Sequence, residues 1–125
     1  MAKSLIEARK AAYNRQAGLC FYCQCPLAVD NDLFAQRYGL SLPQAKRHEC
    51  TAEHLIARCD GGLNVKANIV AACLFCNRTR HACARPLASE HYRMKVQRRM
   101  AQRRWHPEYV FTRLLPERYR ICGRC

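Results

Sequence analysis

The chain has 125 residues, 50% of them apolar, and a formal charge of +13 from 22 Lys and Arg against 9 Asp and Glu. That length suits one domain with a modest core, and that apolar share excludes a disordered tail. No run reaches the roughly 18 apolar residues of a membrane span. The N-terminal MAKSLIEARKAAYNRQ has no apolar signal region, so a cytoplasmic location and no membrane partner are expected.

The charge is unevenly placed. Residues 78–125 hold 13 of the 22 basic residues but only 3 of the 9 acids, and arginine outnumbers lysine 17 to 5. Guanidinium forks match phosphate geometry, so a polyanion is the expected partner. The 10 cysteines mean disulfides or metal. In a reducing compartment Cys-x-x-Cys pairs are read as zinc ligands or redox pairs, and two pairs in one domain favour zinc.

In chain order, residues 3–17 predict a helix capped by Ser4 with Glu7 completing a capping box. Leu5, Ile6, Ala12 and Tyr13 form its inward stripe, and Gly18 ends it. CFYCQCPL follows, with Cys20 and Cys23 as a knuckle and Cys25 as a spare thiol. Residues 28–49 predict two short helices broken at Gly39, the second capped by Ser41 with Pro43 in its first turn. Their faint helix-turn-helix pattern is better read as a plain helical insertion.

Cys50 to Ile56 predicts a strand carrying Glu53 and His54. A turn at Asp60-Gly61-Gly62 leads to a second strand, Asn68 to Ala72. A helix follows from Cys73 to Ala84, with Cys73 and Cys76 as a second knuckle and Asn77 and His81 one turn apart on one face. HEC at His48 to Cys50 is not a zincin motif, since the next histidine, His54, does not fall one helical turn on. No H-x-E precedes the cysteines and Ala72 stands before Cys73, so the zinc deaminase signature is absent too. Residues 89–105 predict a basic helix capped by Ser89. Tyr92, Val96, Met100 and Trp105 would face inward, and Arg93, Lys95, Arg98, Arg99, Arg103 and Arg104 outward. Cys122 and Cys125 make a third pair, read as a mobile thiol pair, with a second zinc shared with Cys25, Cys50, Cys59 or Cys83 as the alternative.

Glu53-His54, Gly61-Gly62, Asn68, Cys73-x-x-Cys76-Asn77 and the earlier Cys20-x-x-Cys23 together resemble the HNH endonuclease family in its zinc-stapled form. The resemblance covers roughly residues 15–85. It implies an α+β fold with a ββα-metal core, 28–49 as an insertion and 86–125 as a basic extension of a single domain. Cys20, Cys23, Cys73 and Cys76 would hold a structural zinc, although 49 residues separate the two pairs.

Hydrolysing a phosphodiester needs an activated water, a cation on the phosphate and help for the leaving oxygen. The resemblance makes His54 the general base and Glu53 and Asn77 ligands of a catalytic cation, Mg²⁺ or Mn²⁺, with His81 a less certain third. It makes Asn68 a tie for the loop that orients the histidine ring. Arg80 falls where the family often has lysine and would touch phosphate, with Arg58, Arg78, Arg93, Arg98, Arg99, Arg103 and Arg104 as further contacts. Glu53 and His54 are adjacent, so a regular strand would point them to opposite faces. A bend, a bulge or the strand's end has to bring both to one phosphate. The expected activity is DNA cleavage, duplex first, with RNA left open. The rival is a zinc-stapled nucleic-acid-binding protein that does not cut. A thiol redox protein lacks its βαβ pattern.

Overall fold

The computed structural model describes residues 3–118. Cys122 and Cys125 lie outside that range. Two antiparallel strands, β1 (Cys50–His54) and β2 (Ile69–Cys73), pair with Cys50 opposite Cys73 and His54 opposite Ile69. Five helices surround them: α1 (Lys3–Arg15), α2 (Asn31–Tyr38), α3 (Leu42–Arg47), α4 (Leu74–His81) and α5 (Ser89–Ala101). The hairpin running directly into α4 is the strand–strand–helix core, and the fold is α+β as expected.

β2 is buried along its whole length because both faces and its outer edge are covered. α1 packs Leu5, Ala8 and Ala12 inward and closes the edge with its last side chains. Gln16 pairs with Ala71 as a strand would, donating from Nε2 to the carbonyl at 2.8 Å and accepting from the amide at 2.9 Å. Arg15 donates to the Ile69 carbonyl at 3.2 Å. An edge paired in this way offers no template for another strand. Ser4 lies inside α1 and does not cap it. Tyr13 and Ile6 are only half-buried, while Ala8, between Leu5 and Ala12, is the middle of the buried stripe.

The insertion follows its local signals closely. Asp30 caps α2, and Gly39 ends it in the left-handed region at φ +67°. Ser41 and Gln44 then form a reciprocal capping box on α3. α5 buries Tyr92, Val96 and Met100 as the 3.6 period predicts, but Ser89 is its first residue and makes no cap bond. It also ends at Ala101, short of Trp105, because Arg103 adopts a positive φ of 56°. Trp105 and His106 are buried beyond the helix, against the cysteine end of the core. The main cluster joins both knuckles to Tyr22, Phe34, Tyr92, Val96 and the turn of π-helix at Val110–Leu114. No helix among the described residues is long and apolar enough to cross a membrane.

Candidate active site and metal centre

The four knuckle cysteines come together as expected. Their sulfurs lie within 4.8 Å of one another, all buried, with Cys23 and Cys73 at 4.0 Å. A tetrahedral zinc with Zn–S near 2.3 Å sets its sulfurs roughly 3.8 Å apart, whereas a disulfide needs about 2.05 Å. The local backbone serves the sulfurs. Tyr22 and Cys73 amides donate to Cys20 Sγ at 3.4 and 3.3 Å, and the Cys76 amide donates to Cys73 Sγ at 3.4 Å. Trp105 Nε1 donates to Cys76 Sγ at 3.3 Å.

Burial pushes the Cys23, Cys73 and Cys76 thiols up. Burial acts on Cys20 too, but hydrogen bonds from the other three outweigh it and hold that thiol well below its usual value. A buried group of four sulfurs is an arrangement that a dication would complete, since it would offset the thiolate charge that burial opposes. Its four buried sulfurs are compatible with a structural zinc.

Cys25 and His106 approach this centre from behind, with Cys23, Cys25 and an imidazole nitrogen of His106 mutually within 4.8 Å. His106 nevertheless offers no ligand. Arg47 Nε donates to its Nδ1 at 3.0 Å, so the ring proton sits on Nε2 and neither nitrogen has a free lone pair. Burial, then Arg47 and His48, lower its pKa to about 3, which keeps the ring neutral.

The other expected site residues meet elsewhere, at the far end of β1. An open cleft of about 240 Å³ is lined by Glu53, His54, Arg58, Cys59, Asn77 and His81, with Ala52 and Ala57. The strand's end resolves the problem of adjacent side chains. β1 stops at His54, earlier than Ile56, and the chain turns away into the loop. That loop is bound tightly. Asn68, in a 3₁₀ turn (Lys66–Asn68) just before β2, accepts from the Ile56 amide at 2.8 Å. It donates to the Ile56 and Leu63 carbonyls at 3.1 and 3.0 Å. Gly62 is required here, because a Cβ would stand 1.7 Å from the Ile56 carbonyl oxygen. Asn68 is therefore the loop tie that was expected, but it does not touch the histidine ring. Asn64 does, with Oδ1 2.8 Å from His54 Nε2. An amide oxygen only accepts, so Nε2 carries the proton and Nδ1 is the basic nitrogen. No sequence signal marked Asn64, one polar residue in a polar loop.

Glu53 is 1% exposed yet fully partnered. Oε2 accepts from Tyr22 Oη at 2.8 Å and from Arg80 Nη1 at 2.8 Å, while Oε1 faces His81 Nε2 at 2.9 Å. Tyr22, inside the first knuckle, was not singled out by sequence. Arg80 corrects an expectation. It is 5% exposed and spends its donors on Glu53, Tyr22, and the His54, Leu55 and Leu87 carbonyls, so it cannot meet phosphate. Burial opposes its charge, but the bond to Glu53 and the pull of Tyr22 outweigh burial and raise its pKa. Asn77 donates both amide protons inward, to Thr51 Oγ1 at 3.0 Å and the Ala52 carbonyl at 3.3 Å, which leaves its oxygen available.

The remaining arginines divide. Arg58 is exposed on the cleft, and Arg78 lines a groove with Lys46, Arg47 and Phe75. Arg98, Arg99 and Arg104 line an open polar recess with Gln102. Arg93 instead lies 4.4 Å over the Phe21 ring with its Nε buried. Arg103 is paired with Glu108 and lies over Phe111, so it too is committed within the fold.

Residues 41–82 match the family model described as HNH endonuclease. Neither the curated proteins nor the solved structures contain a match to the chain. The matched span covers β1, the loop, β2 and α4, and so holds the cleft and the second knuckle; over these residues, with the ββα core and the buried four-cysteine cluster in place, the chain is similar to an HNH endonuclease domain.

Proposed function

We propose that the protein is a divalent-cation-dependent endonuclease that hydrolyses DNA phosphodiester bonds in the cleft at the end of β1. One observation supports this above the others: Glu53, His54, Asn77 and His81 share an open cleft, apart from the four cysteines sealed inside the core. Binding alone has no use for a buried carboxylate and an oriented imidazole at one opening.

His54 takes the proton from the attacking water through Nδ1, while Asn64 holds Nε2–H and so fixes the tautomer. Glu53 through Oε1, Asn77 through its amide oxygen and His81 through a ring nitrogen are the donors for the cation. Carboxylate and amide oxygens suit a hard dication, and the imidazole adds tolerance for Mn²⁺. When bound, that cation supplies positive charge for the scissile phosphate and the leaving 3′-oxygen. Tyr22 and Arg80 hold the other carboxylate oxygen, which keeps Oε1 turned to the cleft. Arg58 on the rim is placed for a flanking phosphate, and the exposed arginines of α5 supply affinity that reads no sequence.

Zinc-loaded protein incubated with supercoiled plasmid should nick or linearise it with Mg²⁺ or Mn²⁺ and leave it intact with EDTA, the products carrying 5′-phosphates. A folded RNA in parallel distinguishes the two substrates. Tight binding with no cleavage of either under any cation would replace this reading with that of a binding module.

A further inference from the structure

The cleft is poor in negative charge. Among its lining residues Glu53 is the one carboxylate, and Arg58 stands beside it. Behind Glu53 lies Arg80, with Nη1 2.8 Å from Oε2 and both side chains nearly inaccessible, 4% and 2% exposed. At that distance, away from water, the guanidinium cancels most of the field the carboxylate would present to an incoming dication. The other groups lining the cleft, the Asn77 amide, the His54 and His81 imidazoles and the Cys59 sulfur, include no carboxylate. Tyr22 donates to the same oxygen and draws further on its electron density, and His81 Nε2 stands 2.9 Å from the other oxygen. Glu53, Asn77 and His81 thus supply ligand atoms but little net charge. A phosphate oxygen supplies what is missing, and it arrives with the substrate.

We propose that Arg80, by neutralising Glu53, makes the cleft a joint site for a divalent cation and a nucleic-acid phosphate, in which the cation is held firmly only together with the phosphate. This rests on the reading of the cleft as a nuclease site and adds the order of its assembly. The free protein binds the cation weakly, and substrate and cation strengthen each other by one common factor, as linkage requires. Arg80 is a positioning and charge-setting residue; it touches neither substrate nor water.

The test measures binding and does not depend on turnover. Zinc-loaded His54→Ala protein, which retains the cation donors, is titrated with Mn²⁺. Bound Mn²⁺ is read by electron paramagnetic resonance, alone and with a saturating short DNA duplex, and corrected for Mn²⁺ held by the duplex itself. The expected result is an affinity at least tenfold tighter with DNA, matched by an equal Mn²⁺-dependent gain in DNA affinity. Arg80→Gln in the same background should bind Mn²⁺ more tightly without DNA and lose most of the coupling, while Arg80→Lys should retain it. If Arg80→Gln fails to fold, Arg80→Met, which keeps the length without the charge, takes its place, and a folded neutral variant that binds Mn²⁺ no more tightly than its parent overturns the role of Arg80. Equal Mn²⁺ affinity with and without DNA overturns the proposal and leaves the nuclease reading standing. Absence of Mn²⁺ binding in both states overturns both.

Discussion

At the scale of single residues, the cleft works through pairs. His54 owes its basic Nδ1 to Asn64, and Glu53 owes its orientation to Tyr22 and Arg80. Removing a member of each pair therefore has a distinct signature. His54→Ala should lower the cleavage rate by roughly 10²–10⁴-fold, the usual share of a general base, with DNA affinity unchanged. Asn64→Ala leaves the imidazole but frees its tautomer and orientation, so kcat should fall less than in His54→Ala while KM stays near that of the parent. Both rates are measured under single-turnover conditions on folded, zinc-loaded protein. Wild-type cleavage by His54→Ala would remove the active site from this cleft. His54 itself was legible from the motif, because a histidine beside an acid at the end of a hairpin strand is a local pattern. Asn64 was not, since its role depends on how a loop from Leu55 to Val65 folds back over β1.

Among the elements, α4 does two things at once. Its first turn carries Cys76, with Cys73 as N-cap accepting from the Cys76 amide through Sγ, and Asn77 and, one turn on, His81 line the cleft. The cysteine knuckle and the cleft-lining side chains are thereby tied to one helix. Tyr22 ties them a second time from the first knuckle. Cys76→Ser should lose zinc, measured by atomic absorption, and melt far below the parent, because structural zinc contributes on the order of 10 kcal/mol in small domains. A zinc-free variant with unchanged circular dichroism and melting temperature would show that the fold holds without metal. The elements were the most legible level: the break at Gly39, the Ser41 cap and Pro43 in the first turn of α3 sit at the residues expected. The errors were at boundaries. Ser4 and Ser89 look like caps, yet each lies within the first turn of its helix, since tertiary packing sets where a frayed end begins.

Across the whole molecule, the excess charge is partly taken up by groups of the protein itself, buried at Arg80 and on the surface at Arg103. Arg80 is paired with Glu53, Arg103 with Glu108, and Arg93 and Arg47 lie over the rings of Phe21 and Phe75. Arg98, Arg99 and Arg104 remain together on one open recess. Replacing those three by Gln should weaken DNA binding and flatten its salt dependence by up to about 0.9 in log–log slope per lost phosphate contact. Arg93→Gln and Arg103→Gln should change the slope little. Fluorescence anisotropy over a range of salt concentrations makes the comparison, and an unchanged slope in the triple variant would turn that recess away from nucleic acid.

What the sequence determined by itself was whatever depends on neighbours along the chain. The Cys-x-x-Cys spacing makes a knuckle, Gly39 and Ser41 end one helix and start another, and Glu53-His54 with Asn77 mark an HNH hairpin and helix. The four-cysteine cluster could be expected because two knuckles have no other economical use. Only the tertiary structure decided which charges are free. Arg80 reads in sequence like a phosphate contact, yet the end of β1 delivers a buried carboxylate and two carbonyls to its guanidinium. A buried Glu53 without that partner would be costly, and the fold supplies the arginine from a helix 27 positions away. Periodicity and spacing carry no information about such a meeting, because it is fixed by where β1 stops and how α4 packs across it.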